Sequence, residues 1–183
     1  MTEQTKFGDI LTFWFEETEQ TFWFKKDTEF DGMITRRYSS VLAAAKACEL
    51  YTWRSCPEGR LAEIIVLDQF SRNIFRDHPD AFSGDALALA LAQEAVAVNA
   101  HLSLQGSQLA FLLMPYMHSE SAMIHEQAVQ LFDVPGLESN LRFEKHHKEI
   151  IDRFGRYPHR NTLMERNSTP EEIEFLEQPG SSF

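Results

Sequence analysis

Apolar residues recur at helical spacing along most of the chain, and turn residues rather than strand-like alternation separate the runs. Ile10, Leu11, Trp14 and Phe15 predict a first helix from Phe7 to Glu17. After a loop bearing Phe22, Trp23 and Phe24, Asp27 or Thr28 can cap a second helix, which carries Phe30, Ile34, Tyr38, Leu42 and Ala45 on one face. Cys56-Pro57-Glu58-Gly59 opens a third, running to about Arg76, where His78-Pro79 stops it. Ser83 is the expected cap of a fourth helix, Gly84 to Asn99, whose Ala, Leu and Val content is apolar all round and predicts a central position. A fifth spans Ser107 to Met114, with Pro115 kinking or interrupting it. A sixth spans Ser119 to Phe132, and a seventh Asn140 to Phe154, with Gly155 in the left-handed position beyond it. Thr169-Pro170-Glu171-Glu172 has the cap, proline and capping-box acid of a short last helix ending near Leu176, followed by a loose tail over residues 177–183. The expected fold is a single all-α domain over residues 1–183, with about eight helices in antiparallel pairs.

Composition narrows the function classes. The chain has 183 residues, 43% hydrophobic and 12% aromatic, enough for a core. Its formal net charge of −11 argues against nucleic acid and anionic membrane surfaces as partners. No run approaches membrane-spanning length, and Met1 to Lys6 lack the features of a secretion signal. The two cysteines, Cys48 and Cys56, read as reduced thiols, so a cytoplasmic setting is expected. The sequon Asn167-Ser168-Thr169 is then a chance match. Exposed aromatics permit a homodimer without requiring one.

Three segments hold candidate chemistry. In the first, Asp68 and Arg72 are four apart and share the predicted apolar face of Leu61, Ile64, Ile65 and Phe75. A buried acid and arginine need one another, so the pair is either structural or an acid orienting Arg72 towards an anionic ligand, with Gln69 and Asn73 beside it. The second, Pro115-Tyr116-Met117-His118-Ser119-Glu120, is not a triad, because neighbours on a helix diverge by about 100° each. Ser119 reads as a cap, while His118 stays a candidate for proton transfer, with His125 seven residues on.

The third runs from Arg142 to Asn161 and holds His146, His147, Arg153, Arg156, His159, Arg160 and Asn161. His147 lies on the apolar face of its helix, where histidine is usually a hydrogen-bonded core residue. The loop that follows is richer in guanidinium and imidazole than a connection requires. Such groups recognise carboxylates and phosphates and move protons near neutral pH; alternatively they clasp helix ends and buried acids. No zinc, dinucleotide or phosphate-loop motif is present, so neither metal nor cofactor is expected.

These segments resemble a bacterial family, domain of unknown function 924. The resemblance spans nearly the whole chain. It is carried by Phe13-Trp14-Phe15, Trp23-Phe24, Phe30-Asp31, the run from Leu67 to Arg76, Pro115 to Glu120, His147, Ile150 to Asn161, and Ser168 to Glu172. It implies a tetratricopeptide-like helical fold and no particular activity. Two positions depart from the family pattern. Leu-Gly-Arg commonly stands where this chain has Met164-Glu165-Arg166, and Gln is common where it has His125.

The leading expectation is an anionic-metabolite site of enzyme type. His118 or His159 would transfer protons. Asp68, Arg72, Asn73, Tyr116, Glu120, His147, Arg153, Arg156, Arg160 and Asn161 would line it. The rival is a peptide- or partner-binding module whose polar motifs are structural, with an aromatic groove lined by Trp14, Trp23 or Trp53.

Overall fold

A computed structural model of the chain describes residues 5–182, so Met1 to Gln4 and Phe183 of the expected loose tail lie outside the described residues. Asp27 starts the second helix: its carboxylate accepts the N–H groups of Glu29 and Phe30 at 3.2 and 3.1 Å. Counting a helix that passes through a π turn as one, the described residues form eight helices and no strand. Helix α1 (Phe7–Thr12) continues through the π turn Phe13–Glu17. Helix α2 is Thr28–Lys46. Helix α3 runs Pro57–Ile65, through the π turn Val66–Phe70, into Ser71–Ile74. Helices α4 (Asp85–Ala97), α5 (Gly106–Met117), α6 (Ala122–Phe132), α7 (Glu138–Phe154) and α8 (Pro170–Leu176) follow.

Helix α3 is the centre. Every residue from Leu61 to Phe70 is buried, and α3 packs on α1, α2, α4 and α5. Each large aliphatic side chain placed there contributes about 1.5–3 kcal/mol of burial. The expectation that α4 is central is corrected: it buries one face through Ala88, Leu91, Ala92 and Ala95, while Ala86, Ala90 and Ala97 are exposed. Alanine counts as apolar in a pattern, yet it serves equally well as a helix former in water. Conversely α3 looks too polar to be central because Glu63, Asp68 and Gln69 lie in it. Each is buried with a partner; Arg54 grips Glu63 with two bonds of 2.7 Å.

The aromatic motif near the N-terminus packs against this helix. Phe13 stacks near Tyr38 (4.9 Å between ring centres), Tyr38 on Phe70 (4.8 Å), and Trp14 against Phe111. Phe24, in the loop before α2, is 73% exposed.

Pro115 does not interrupt α5, which continues to Met117. Proline removes the donor that would meet the Phe111 carbonyl, but under one turn remains, and buried Tyr116 and Met117 hold it. Neither Ser119 nor Ser83 caps a helix as expected. Ser119 lies in the link 118–121, and its hydroxyl accepts from the Ser121 N–H at 3.2 Å; Ser83 bonds back to the Asp80 carbonyl. Two other terminal signals hold. Gly155 takes φ 68° after α7, and Thr169 and Glu172 close a reciprocal capping box at α8. In the described part of the tail, His146 Nε2 meets the Gly180 carbonyl at 3.0 Å, and Ser181 Oγ donates to the Leu176 carbonyl. None of the described helices is long and apolar enough to cross a membrane.

Candidate functional site

The site begins with the π turn in α3. Asp68, 1% exposed, accepts from Gln69 Nε2 at 2.5 Å on one oxygen. Its other oxygen meets His118 Nδ1 at 2.6 Å and Arg72 Nη1 at 3.1 Å. Arg72 also donates to the Asp68 carbonyl at 2.9 Å and grips Asp85 with both nitrogens, at 2.8 and 3.0 Å. Gly84 makes that reach available. A Cβ there would stand 2.6 Å from the Leu67 carbonyl oxygen, so only glycine lets the start of α4 lie this close to α3.

His118 sits at the end of α5, in a link pinned on both sides. Tyr157 Oη donates to the Met117 carbonyl at 2.5 Å. His125 Nε2 donates to the Ser119 carbonyl at 2.8 Å, while its Nδ1 meets Glu144 Oε1 at 2.7 Å. Both His125 and Glu144 are fully buried. Glu120 accepts the Tyr157 N–H at 2.8 Å and both terminal nitrogens of Arg166, at 2.6 and 3.0 Å. These bonds fix the backbone around His118, and Asp68 fixes the ring. Because a carboxylate can only accept, Nδ1 carries the hydrogen and Nε2 presents the lone pair.

The loop after α7 divides its basic groups. Arg160 turns inward, between the rings of Phe82 (4.6 Å) and Tyr157 (4.7 Å), and reaches Asp85 at 3.5 Å. Its Nε is buried with no hydrogen-bond partner. His159 lies against Tyr157, with 5.6 Å between ring centres, and His147 approaches Tyr157 from α7 at 5.7 Å. Arg156 and Arg153 turn outward. Arg156 forks onto Glu172 of α8 at 2.6 and 2.8 Å, and Arg153 onto exposed Glu171.

The family model for bacterial protein of unknown function (DUF924) matches residues 10–180. The chain belongs to the DUF924 family. A solved structure, that of a protein of unknown function, ATU0120, from Agrobacterium tumefaciens, is 34% identical, covers 93% of this chain and 96% of its own, and superposes with a TM-score of 0.89. No curated protein matches. Glu165, in the segment Met164-Glu165-Arg166, holds φ at 53°, in the left-handed region that a side chain disfavours.

Of the expected lining residues, Asp68, Arg72, His118, His159, His147, Glu120 and Arg160 lie in one neighbourhood. The others go elsewhere. Asn73 donates to Asp31 at 2.8 Å beside an Arg76–Asp31 pair, tying α3 to α2. Asn161 is buried and donates to Ser168 Oγ at 3.1 Å. Tyr116 is buried in the main core, and Arg153 and Arg156 are clasps on α8. Sequence reasoning missed Asp85, which reads as an ordinary first-turn acid, and Arg166, which looks like a loop residue. It also missed Tyr157 as the anchor of the His118 link. The His125–Glu144 pair had a faint signal in the apolar face that His125 borders.

Electrostatics follow from burial. Burial opposes the charge of Asp68, but Arg72 and His118 outweigh it and hold its carboxyl well below the usual range. Burial lowers His118, with Arg72 adding to the effect and Asp68 opposing it. Burial pushes His147 down to about 3 and His159, helped by Arg160, down to about 4. It also lowers Arg160, against which Arg72 presses as a like charge. Burial raises Glu144, despite the hydrogen bond from His125. Among the described residues no three His, Cys, Asp or Glu side chains stand together as metal ligands. A separate cleft of about 270 Å³ is lined by Trp23, Phe24 and Phe111, away from this cluster. Trp14 and Trp53, the other expected groove residues, are buried instead.

Proposed function

We propose that the Asp68–Arg72–His118–Arg160 cluster binds a small oxyanion and transfers a proton to or from it. One observation carries this reading. A histidine whose Nδ1 is fixed by a buried carboxylate at 2.6 Å shares that carboxylate with Arg72, which in turn shares a second carboxylate, Asp85, with Arg160. Asp68 sets the tautomer, so His118 Nε2 is the atom that takes up or gives the proton. Arg72 and Arg160 supply forked donors suited to a carboxylate or phosphate. The cluster reaches solvent through Arg72, Asp85 and His118, whose side chains are 21, 20 and 13% exposed. Burial lowers the proton affinity of His118 in the free protein, which leaves Nε2 open to a proton. The free thiols Cys48 and Cys56 support a reducing, cytoplasm-like setting.

The test is a thermal-shift screen of carboxylates and phosphates on the intact protein and on His118→Gln. A ligand bound only by the folded chain raises the melting temperature by mass action. The expected hit raises the melting temperature of the natural protein more than that of His118→Gln. If no oxyanion moves the melting temperature of either, the reading is wrong.

The Trp23–Phe24–Phe111 cleft favours a second reading, a tetratricopeptide-like module that takes an apolar peptide side chain. Quenching of Trp23 fluorescence by aromatic peptides, absent in Phe24→Ser, would support it.

A further inference from the structure

The charges at this site are balanced before anything binds. Asp68 and Asp85 face Arg72 and Arg160, and Glu120 faces Arg166. Yet the balance is uneven. Arg72 has both carboxylates at 2.8–3.1 Å, whereas Arg160 has Asp85 only at 3.5 Å, and its Nε donor is buried without a partner. A guanidinium of 5% exposure with an idle donor is a demand for an acceptor. An arriving anion satisfies that demand and leaves the buried group with one negative charge too many.

A proton can restore neutrality, and the surroundings decide where it goes. His118 is faced by Asp68 and Arg72 from α3, by Asp85 from the start of α4, by His147 from α7, and by His159, itself beside Arg160, from the loop beyond α7. His118 already has a carboxylate on Nδ1, so protonating Nε2 makes an imidazolium with its counterion in place. His147 spends its Nδ1 on the Phe143 carbonyl at 2.7 Å, and His159 lies beside Arg160, which resists a second positive charge.

We propose that an oxyanion enters this cluster together with a proton, the anion on Arg160 and Arg72 and the proton on His118. This deepens the oxyanion-site reading and rests on it. The proton comes from solvent and no bond other than the N–H forms. By reciprocity, whatever the anion does to the proton affinity of His118, protonation does to anion affinity. The shared ligand chemistry is a planar or tetrahedral oxyanion, from a carboxylate or a phosphate.

The experiment follows the histidine Cε1–H resonances of the natural protein from about pH 5.5 to 8, at fixed ionic strength, in chloride, acetate or sulfate. Acetate stands for carboxylates and sulfate for phosphates; sulfate is fully ionised over that range, and acetate is so above about pH 6.5. His118→Gln assigns the signal. Should that variant not fold, proton uptake on sulfate binding, measured calorimetrically in two buffers of different ionisation enthalpy, gives the same answer. We expect at least about a tenfold rise in His118 proton affinity with the anion that binds, and net proton uptake that peaks, at about half a proton or more, between the free and bound midpoints. Whichever anion produces the shift identifies the ligand class. Anion binding with no shift and no proton uptake overturns the proposal and means that the anion trades places with Asp85. No binding by either anion at any pH overturns the site reading itself.

Discussion

Arg156 and Arg160 stand four residues apart in one loop, and the structure uses them in opposite ways. Arg156 is 28% exposed and holds α8 through Glu172. Arg160 is 6% exposed, lies between two rings, and meets its acid at 3.5 Å. The outward arginine has its hydrogen bonds satisfied: two to Glu172 and one to the Asn167 carbonyl. The inward one has a donor to spare. A satisfied ion pair at a helix end explains itself as architecture, while an under-satisfied buried cation asks for something the chain does not supply. The same contrast separates Asp68 and His118 inside from Arg153 and Glu171 outside.

The contrast can be broken most severely at Asp68. Asp68→Ala strands Arg72 and His118 in a buried setting and is expected to cost about 3–5 kcal/mol in urea unfolding. A loss below about 1 kcal/mol would mean that the inner cluster is no more demanding than a surface pair. Acid titration separates the two regions next. His147 and His159 have folded-state values of about 3 and about 4, below the ordinary 6.5. Their contribution is therefore complete above 6.5 and is lost as pH falls towards those values. Glu172, held down to about 2 by Arg156, contributes fully above 4.5 and loses its share as pH falls through about 2. The expected urea midpoint therefore starts to fall near pH 6.5. His159→Gln blunts the early part of the fall and Glu172→Gln the late part.

Smaller changes sharpen the picture. Gly84→Ala drives a Cβ against the Leu67 carbonyl and is expected to cost about 1–3 kcal/mol while loosening the Asp85 grip on Arg72. Glu165→Gly relieves a left-handed residue and is expected to stabilise by about 1 kcal/mol, read as a higher melting temperature. Arg153→Ala removes an ion pair whose side chains are 46 and 61% exposed, and is expected to change stability by about 0.5 kcal/mol or less.

Helix positions were legible in the sequence because period, caps and breakers act locally. Asp27, Gly155 and the Thr169–Glu172 box each do what their neighbours dictate. The Asp68–Arg72 pair was legible for the same reason, being four apart on one helix. What joins distant segments was not. Asp85 lies 75 residues from Arg160, and nothing near it in the chain marks it as the shared acid. Arg156 and Arg160 are alike in sequence and differ only through α8, which offers Glu172 to one of them. The centre of the fold was misplaced onto α4 because alanine counts as apolar, while α3 hid its centrality behind buried, paired acids.

The most direct test of the inward site compares sulfate-dependent melting in Arg156→Gln and Arg160→Gln with the natural protein at matched ionic strength. General salting effects act on all three alike, whereas a bound anion adds a saturable rise wherever its seat is intact. We expect the saturable rise in the natural protein and in Arg156→Gln, and its loss in Arg160→Gln. A saturable rise that survives in Arg160→Gln, or vanishes in Arg156→Gln with its fold intact, would contradict the assignment of the anion seat to the inner arginines.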